Sequence, residues 1–305
     1  MLRTRSKVRV LGREDLPAVR RVLDQDPVTH VFVDHRVRAT RLDPRWLGGQ
    51  LWGYDDGTGV VALCHAAANL IPVAAGPDAL HAFAAQALAQ GRQCSAILGP
   101  NDEVHQLWDL LGQGWGPARD IRPRQPFLTL GSDPMVRPDP RVRRVRPDEL
   151  DVLYPSCVAM FTEELGISPE AGGGARLYRS RISQLISKGL AFARIEGDDV
   201  IFKAEVAAVT PHAGQVQGVW VNPAHRGQGL SAPALATVSA AVLRDLAPVV
   251  SLYVNEHNLA ARRAYARVGF VEHTRFATNL TGPDHITVNA KNTVTGETCA
   301  ASGTF

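Results

Sequence analysis

Val219 to Ala232 reads VWVNPAHRGQGLSA: a β-branched run that stops at Asn222-Pro223, a turn carrying Arg226, Gly227 and Gly229, and at once a helix-forming segment. A strand, a glycine loop and a helix in that order leave several backbone N–H groups unpaired at the positive end of a helix dipole. Glycines let a bulky anion approach that backbone, so the expected guest is a phosphate group. Arg226 adds a charge-assisted donor, and the small Ser231 and Ala232 keep the first helical turn uncrowded.

Two other phosphate-binding patterns compete for the segment. Gly227-Gln228-Gly229-Leu230-Ser231-Ala232 fits the GxGxxA form of the dinucleotide fingerprint, and Glu256 ends the next strand. That fingerprint follows the first strand of a parallel βαβ unit. Here Leu190–Gly197, Val200–Thr210 and Gln215–Val221 read as three strands joined by the short turns Asp198-Asp199 and His212-Ala213-Gly214, which makes them antiparallel. The P-loop is excluded more directly, because neither GKS nor GKT follows the glycines.

Working outward, 305 residues suit two domains of ordinary size. With 45% hydrophobic and 21% charged residues the chain is expected to bury a real core. A net charge of +3 is too small to argue for nucleic acid or an anionic membrane, and the Arg-rich stretches Met1–Arg9 and Arg137–Arg146 read as solvated charge beside strand starts. Cys64, Cys94, Cys157 and Cys299 are scattered, which fits reduced thiols in a cytoplasm, and there is no metal-ligand spacing. Neither an export signal nor an apolar stretch of membrane-spanning length is present in the sequence.

The proline-rich segment Arg124–Arg146 contains one strand, PFLTL, and marks the expected boundary between residues 1–135 and 136–282. Both halves open with a short strand and an acidic-starting helix, and both continue with strands, a helix, a strand, a helix and a strand. The expected architecture is therefore α/β (α+β), two related domains, each a mixed, mostly antiparallel twisted sheet flanked by helices. Residues 283–305 are rich in Thr, Asn, Ala and Gly and read as a loose tail or one added strand.

VxVxPxxRGxGLS, from Val219 to Ser231, resembles the cofactor motif of the GNAT superfamily of acetyltransferases. A second pattern follows at the family's distance, where Val254, Asn258, Ala261, Tyr265, Gly269 and Phe270 match VxxxNxxAxxxYxxxGF. The resemblance covers roughly residues 141–281 and, in outline only, the first half, as in tandem chains known from actinobacteria.

That resemblance implies acetyl-CoA as cofactor and an N-acetyltransferase acting on a primary amine of a small molecule, peptide or protein, as a monomer or homodimer. It implies that Trp220 and Val221 give backbone hydrogen bonds to pantetheine, and that Arg226, Gly227, Gln228, Gly229, Leu230 and Ser231 hold the pyrophosphate. Asn258 would touch the cofactor and cap its helix, and Tyr265 would protonate the leaving thiolate. Many relatives carry Glu where this chain has Gln217, and an amide takes no proton at neutral pH. Glu205, interrupting the apolar run VIFKAEVAAV, is the substitute base, with Glu163, Glu164 and His212 behind it. Acceptor choice falls to Phe161–Lys188, where Arg176, Arg179, Arg181 and Lys188 read as solvated helix charge.

In the first half the corresponding stretch is NLIPVAAGPDALHAF, with Gly76 alone, no Arg, and a Pro77 that lacks an N–H. Asn101 and Trp108 stand near the places of the Asn and Tyr, but Trp is no acid. That half is expected to be a degenerate domain that buttresses the active one or shapes its acceptor cleft. A non-catalytic acyl-CoA-binding module is the alternative for the whole, favoured by Gln217 as Tyr265 favours the enzyme.

Overall fold

The computed structural model describes residues 7–281; the tail expected at 283–305 lies outside the described residues. The first part of the chain runs β1 (Val8–Val10), α1 (Leu16–Leu23), α2 (Val31–Thr40), α3 (Pro44–Leu47), β2 (Gln50–Asp55), β3 (Val60–Ala66), β4 (Asn69–Val73), α4 (Pro77–Gln90), β5 (Ala96–Pro100), α5 (Asn101–Trp115) and β6 (Asp120–Leu130). The second runs β7 (Arg143–Arg144), α6 (Leu150–Leu165), α7 (Ala175–Ser187), β8 (Ala191–Glu196), β9 (Asp199–Val209), β10 (Gly214–Val221), α8 (Ser231–Asp245), β11 (Val250–Tyr253), α9 (Leu259–Val268) and β12 (Val271–Leu280).

The chain divides into two compact units, one of residues 7–124 with 275–281 and one of residues 125–274. In the first, β1, β2, β3 and β4 pair antiparallel in sequence order, β4 pairs β5 in parallel, and β5 pairs antiparallel with Phe276–Leu280 of β12. In the second, β7, β8, β9 and β10 pair antiparallel, β10 pairs β11 in parallel, and β11 pairs antiparallel with Phe127–Leu130 of β6. One plan is thus used twice, and each sheet is completed by a strand from the other half of the chain. The expected boundary at 135/136 is corrected accordingly. PFLTL was read as the last strand of the first half, yet it pairs in the second unit, because a strand's composition does not encode which edge it will join.

Each unit has its own core. In the second, Val219 and Val221 of β10 meet Leu235, Val238 and Val242 of α8 and Tyr265 and Val268 of α9. Ala232, Ala234 and Ala236 are buried in the same cluster, and side chains this small let helix and sheet come close. Phe202, Ala204 and Val206 turn to this side, so the period-two alternation of a strand sends Lys203 and Glu205 to the opposite face of β9. In the first unit, Leu80, Phe83 and Ala84 of α4 and Val104 and Leu107 of α5 cover Leu70, Ile97 and Ala277. No helix among the described residues is long and apolar enough to cross a membrane.

Candidate active site

Asn222 ends β10 by accepting the Ala224 N–H through its Oδ1 at 3.1 Å, which sets the turn Pro223–His225. Gly227 and Gly229 follow with φ of +77° and +74°, a conformation that side-chain-bearing residues resist, and no heavy atom lies within 4 Å of where a side chain would project. Helix α8 then starts at Ser231 with no side-chain cap on its first turn. Its leading N–H groups are therefore left for a ligand.

These donors face a cavity of 310 Å³ lined on one side by Val221, Arg226, Gly227, Gly229, Leu230 and Ser231. Helix α9 and its cap line the other side, with Asn258, Ala261, Arg263 and Arg267. Two helix N-termini and three arginines converge there, and no acidic residue is among the lining. Such a site favours an anion through both fixed dipoles and mobile charge. Arg263 and Arg267 were not singled out in the sequence, although their i,i+4 spacing two turns beyond a capping Asn was the available signal.

The expected site residues divide. Of the nine assigned to the cofactor, Val221, Arg226, Gly227, Gly229, Leu230, Ser231 and Asn258 line the cavity, whereas Gln228 is exposed and Trp220 is buried elsewhere. Arg226 is already engaged: its guanidinium forms a bidentate pair with Glu163 at 2.8 Å for both bonds and donates from Nε to the Val221 carbonyl at 3.0 Å. Trp220 Nε1 donates to the same Glu163 at 3.0 Å. The Arg226 contact holds the Glu163 carboxyl below its ordinary range, so Glu163 fastens the loop to α6 and is a poor proton acceptor.

Asn258 accepts the Ala261 N–H at 3.1 Å, so it caps α9 as well as lining the cavity. Tyr265 is fully buried in the core with its ring 6.0 Å from that of Phe270, and it does not line the cavity. Parallel register between β10 and β11 is confined to Gly214↔Val250 and Gln215↔Ser251. Beyond it β10 is bulged between Gln217 and Trp220, where Gly218 takes φ +58°.

Glu205 sits opposite Gln217 in the β9–β10 register. Its Oε1 accepts from Arg181 at 2.9 Å and from Gln217 Nε2 at 2.7 Å, and its Oε2 lies 3.9 Å from Lys203 Nζ. Burial alone would raise its pKa, but Arg181, Lys203 and the Gln217 hydrogen bond together bring it below the ordinary value. A carboxylate so stabilised is a weak base, which counts against the role expected for it. Arg181 correspondingly departs from the solvated charge expected of it, being only 17% exposed in this pair. Arg179 pairs at the surface with Asp151.

The equivalent junction of the first unit is built differently. Ala74, Ala75 and Gly76 join β4 to α4, Ala74 has φ +51°, and Pro77 takes the first helical position. Glu103 of α5 accepts the Ala75 N–H, and burial pushes its carboxyl up to about 7. Asn101, unlike Asn258, caps nothing and donates instead to the Pro123 carbonyl. Among the described residues no group of three or more His, Cys, Asp or Glu is placed to hold a metal.

Residues 184–270 match the acetyltransferase (GNAT) family, and residues 49–153 match a domain of unknown function, DUF4081. No curated protein matches the chain. Among solved structures the fold is similar to a GNAT-family acetyltransferase from Colwellia psychrerythraea, with 13% identity, TM-score 0.55, and 90% of this chain and 100% of that one covered. It is also similar to a GCN5-related N-acetyltransferase from Sphaerobacter thermophilus (16% identity, TM-score 0.55, 93% and 97% covered). A Drosophila protein is a third likeness (14% identity, TM-score 0.64, 92% and 100% covered). At these identities the likeness is one of fold. The match over 184–270 spans β8 through α9 and so contains the bulged strand, the glycine turn and both helix starts at the cavity. Over that segment the chain matches the GNAT acetyltransferase family.

Proposed function

We propose that the second unit is an acetyl-CoA-dependent N-acetyltransferase whose acceptor is a primary amine on a small molecule or peptide. The supporting observation is the cavity at the starts of α8 and α9, open at Gly227 and Gly229 and lined by three arginines without an acid. Acetyl-CoA would bring the acyl thioester, its pyrophosphate at the Gly227–Ser231 amides and its pantetheine arm along Trp220 and Val221 where β10 leaves β11. Arg226 lines the cavity with its guanidinium partly engaged by Glu163, and Arg263 and Arg267 add charge from α9.

An amine attacks the thioester only when neutral. Gln217 takes no proton and Glu205 is held as a carboxylate, so in this reading the proton leaves through solvent water. The Tyr265 phenol donates to the departing thiolate. The test is release of CoA thiol across a panel of amines. Tyr265→Phe is expected to lower kcat while leaving the Kd for acetyl-CoA unchanged, and an unchanged kcat would remove Tyr265 from the chemistry. With no carboxylate base, kcat/KM should rise with the acceptor's own deprotonation and show no step in the carboxylate range.

Gln217 and the tied-up Glu205 support a second reading, a non-catalytic acyl-CoA-binding module. Calorimetric binding of acetyl-CoA with no thiol released from any amine would select it.

A further inference from the structure

Beneath the β10 bulge the second unit buries a cation without a hydrogen bond. Lys203 is 1% exposed, and its Nζ has no hydrogen-bond partner among the described residues. Glu205 Oε2, at 3.9 Å, is beyond hydrogen-bond reach, and Oε1 is already used by Arg181 and Gln217. Two cations thus share one carboxylate, leaving an excess of one positive charge. Cys157, Tyr178 and Glu163 do not cancel it. Burial pushes the Cys157 thiol up to about 11 and the Tyr178 hydroxyl upward as well, so both are neutral at pH 7, and Tyr178 donates to the Cys157 carbonyl. Glu163 is committed to Arg226 and Trp220.

Placement gives this charge a use. Lys203 stands opposite Trp220 and Glu205 opposite Gln217, so the cluster lies under the part of β10 that leaves register. A Cβ at Gly218 would come within 3.0 Å of Lys203 Nζ and 3.5 Å of the Glu205 carboxyl carbon, so only a glycine lets β10 pass this close over the pair. Arg181 and Gln217, both partly exposed, form the rim, while Lys203 and Glu205 lie below. A buried ammonium lacking an acceptor is costly, and a carboxylate is the group that supplies both the missing acceptor and the missing charge.

We propose that this cluster binds a carboxylate carried by the acceptor, so that the amine acetylated belongs to an amino acid or a similarly acidic amine. The inference rests on the acetyltransferase reading above. A dicarboxylic acyl group offers the same chemistry, but the cluster lies on the β9 side of β10, whereas the gap for the thioester opens on the β11 side.

The test compares kcat/KM for amino acids and for their uncharged amides with acetyl-CoA, and for an uncharged amine with acetyl-CoA and succinyl-CoA. The expected result is at least a tenfold preference for the acid over its amide. In Lys203→Met that preference should collapse through a raised acceptor KM, with the acetyl-CoA Kd unchanged and Lys203→Arg retaining part of it. Acids and amides used equally well by the wild-type protein would overturn the proposal, whether or not Lys203→Met folds. A preference for succinyl-CoA with an uncharged amine would overturn the assignment to the acceptor. Failure to bind acetyl-CoA, or binding with no turnover of any amine, acid or amide, would instead sink the acetyltransferase reading itself.

Discussion

The β10–α8 junction of the second unit and the β4–α4 junction of the first occupy the same place in the same plan and treat the same helix end oppositely. In the second unit, nine residues from Asn222 to Leu230 separate strand from helix, with two glycines in the left-handed region and an uncapped first turn. In the first, three residues suffice, α4 is also without a side-chain cap but a proline removes one of its donors, and Glu103 takes the Ala75 N–H of the connecting loop. A helix N-terminus becomes a binding site only where the protein leaves its donors unused. The first unit shortens the junction and ties it to α5 through Glu103, and the second leaves a glycine turn open beside a cavity.

The largest effect expected from breaking this contrast lies in the first unit. Glu103 has a folded-state pKa of about 7 against an ordinary 4.5, raised by burial. A carboxyl raised in the folded state contributes stability that is complete below about pH 4.5 and is lost as pH climbs through about 7. The loss should total about 3 kcal/mol. Denaturant unfolding across that window should show it, and Glu103→Gln, which keeps an acceptor for the Ala75 N–H, should flatten the profile; parallel profiles would remove Glu103 from this role.

Next comes the open loop. Gly229→Val places a β-branched residue at φ +74°, so the turn must refold away from the geometry that presents the α8 amides. Acetyl-CoA affinity should fall by about 100-fold, or roughly 2.7 kcal/mol. Calorimetry reads this directly, and a change under threefold would mean that the glycine turn is not where the ligand binds.

Tyr265→Phe removes one phenolic oxygen from a fully buried ring, and kcat should fall by about a hundredfold, the low end of the usual scale for a lost general acid. Glu163→Gln is the mildest change. The pair with Arg226 is about one-third exposed at each end, so the effect on acetyl-CoA affinity should stay within about 1 kcal/mol, in the direction of tighter binding as Arg226 is released toward the cavity. Weaker binding in that variant would show that fixing the loop matters more than the freed charge.

The local features of the site could be read from sequence because they are written locally. Gly227, Gly229 and Asn222 set a backbone path within nine residues, and Asn258 announces a cap by its spacing to Ala261. The turns at Asp198-Asp199 and His212–Gly214 likewise foretold the antiparallel strands that exclude the dinucleotide fold. What escaped was decided by partners far off in the chain. Glu205 stood out as a charge in an apolar run, but its ionisation depends on Arg181, 24 residues away on α7. Lys203 was passed over as one polar residue in an apolar strand, since alternation reveals a face but not what covers it. Glu103 was overlooked for the same reason, its partner Ala75 lying across a helix and a strand. The exchange of β6 and β12 between the two sheets was equally invisible, because both runs are well-formed strands and the choice of edge is made by the assembled units.

The difference between the two junctions can be counted. Calorimetric titration of acetyl-CoA into the whole chain should give one site per chain, lost in Gly229→Val and retained in Glu103→Gln. Two sites per chain, or one site that survives Gly229→Val unchanged, would contradict it.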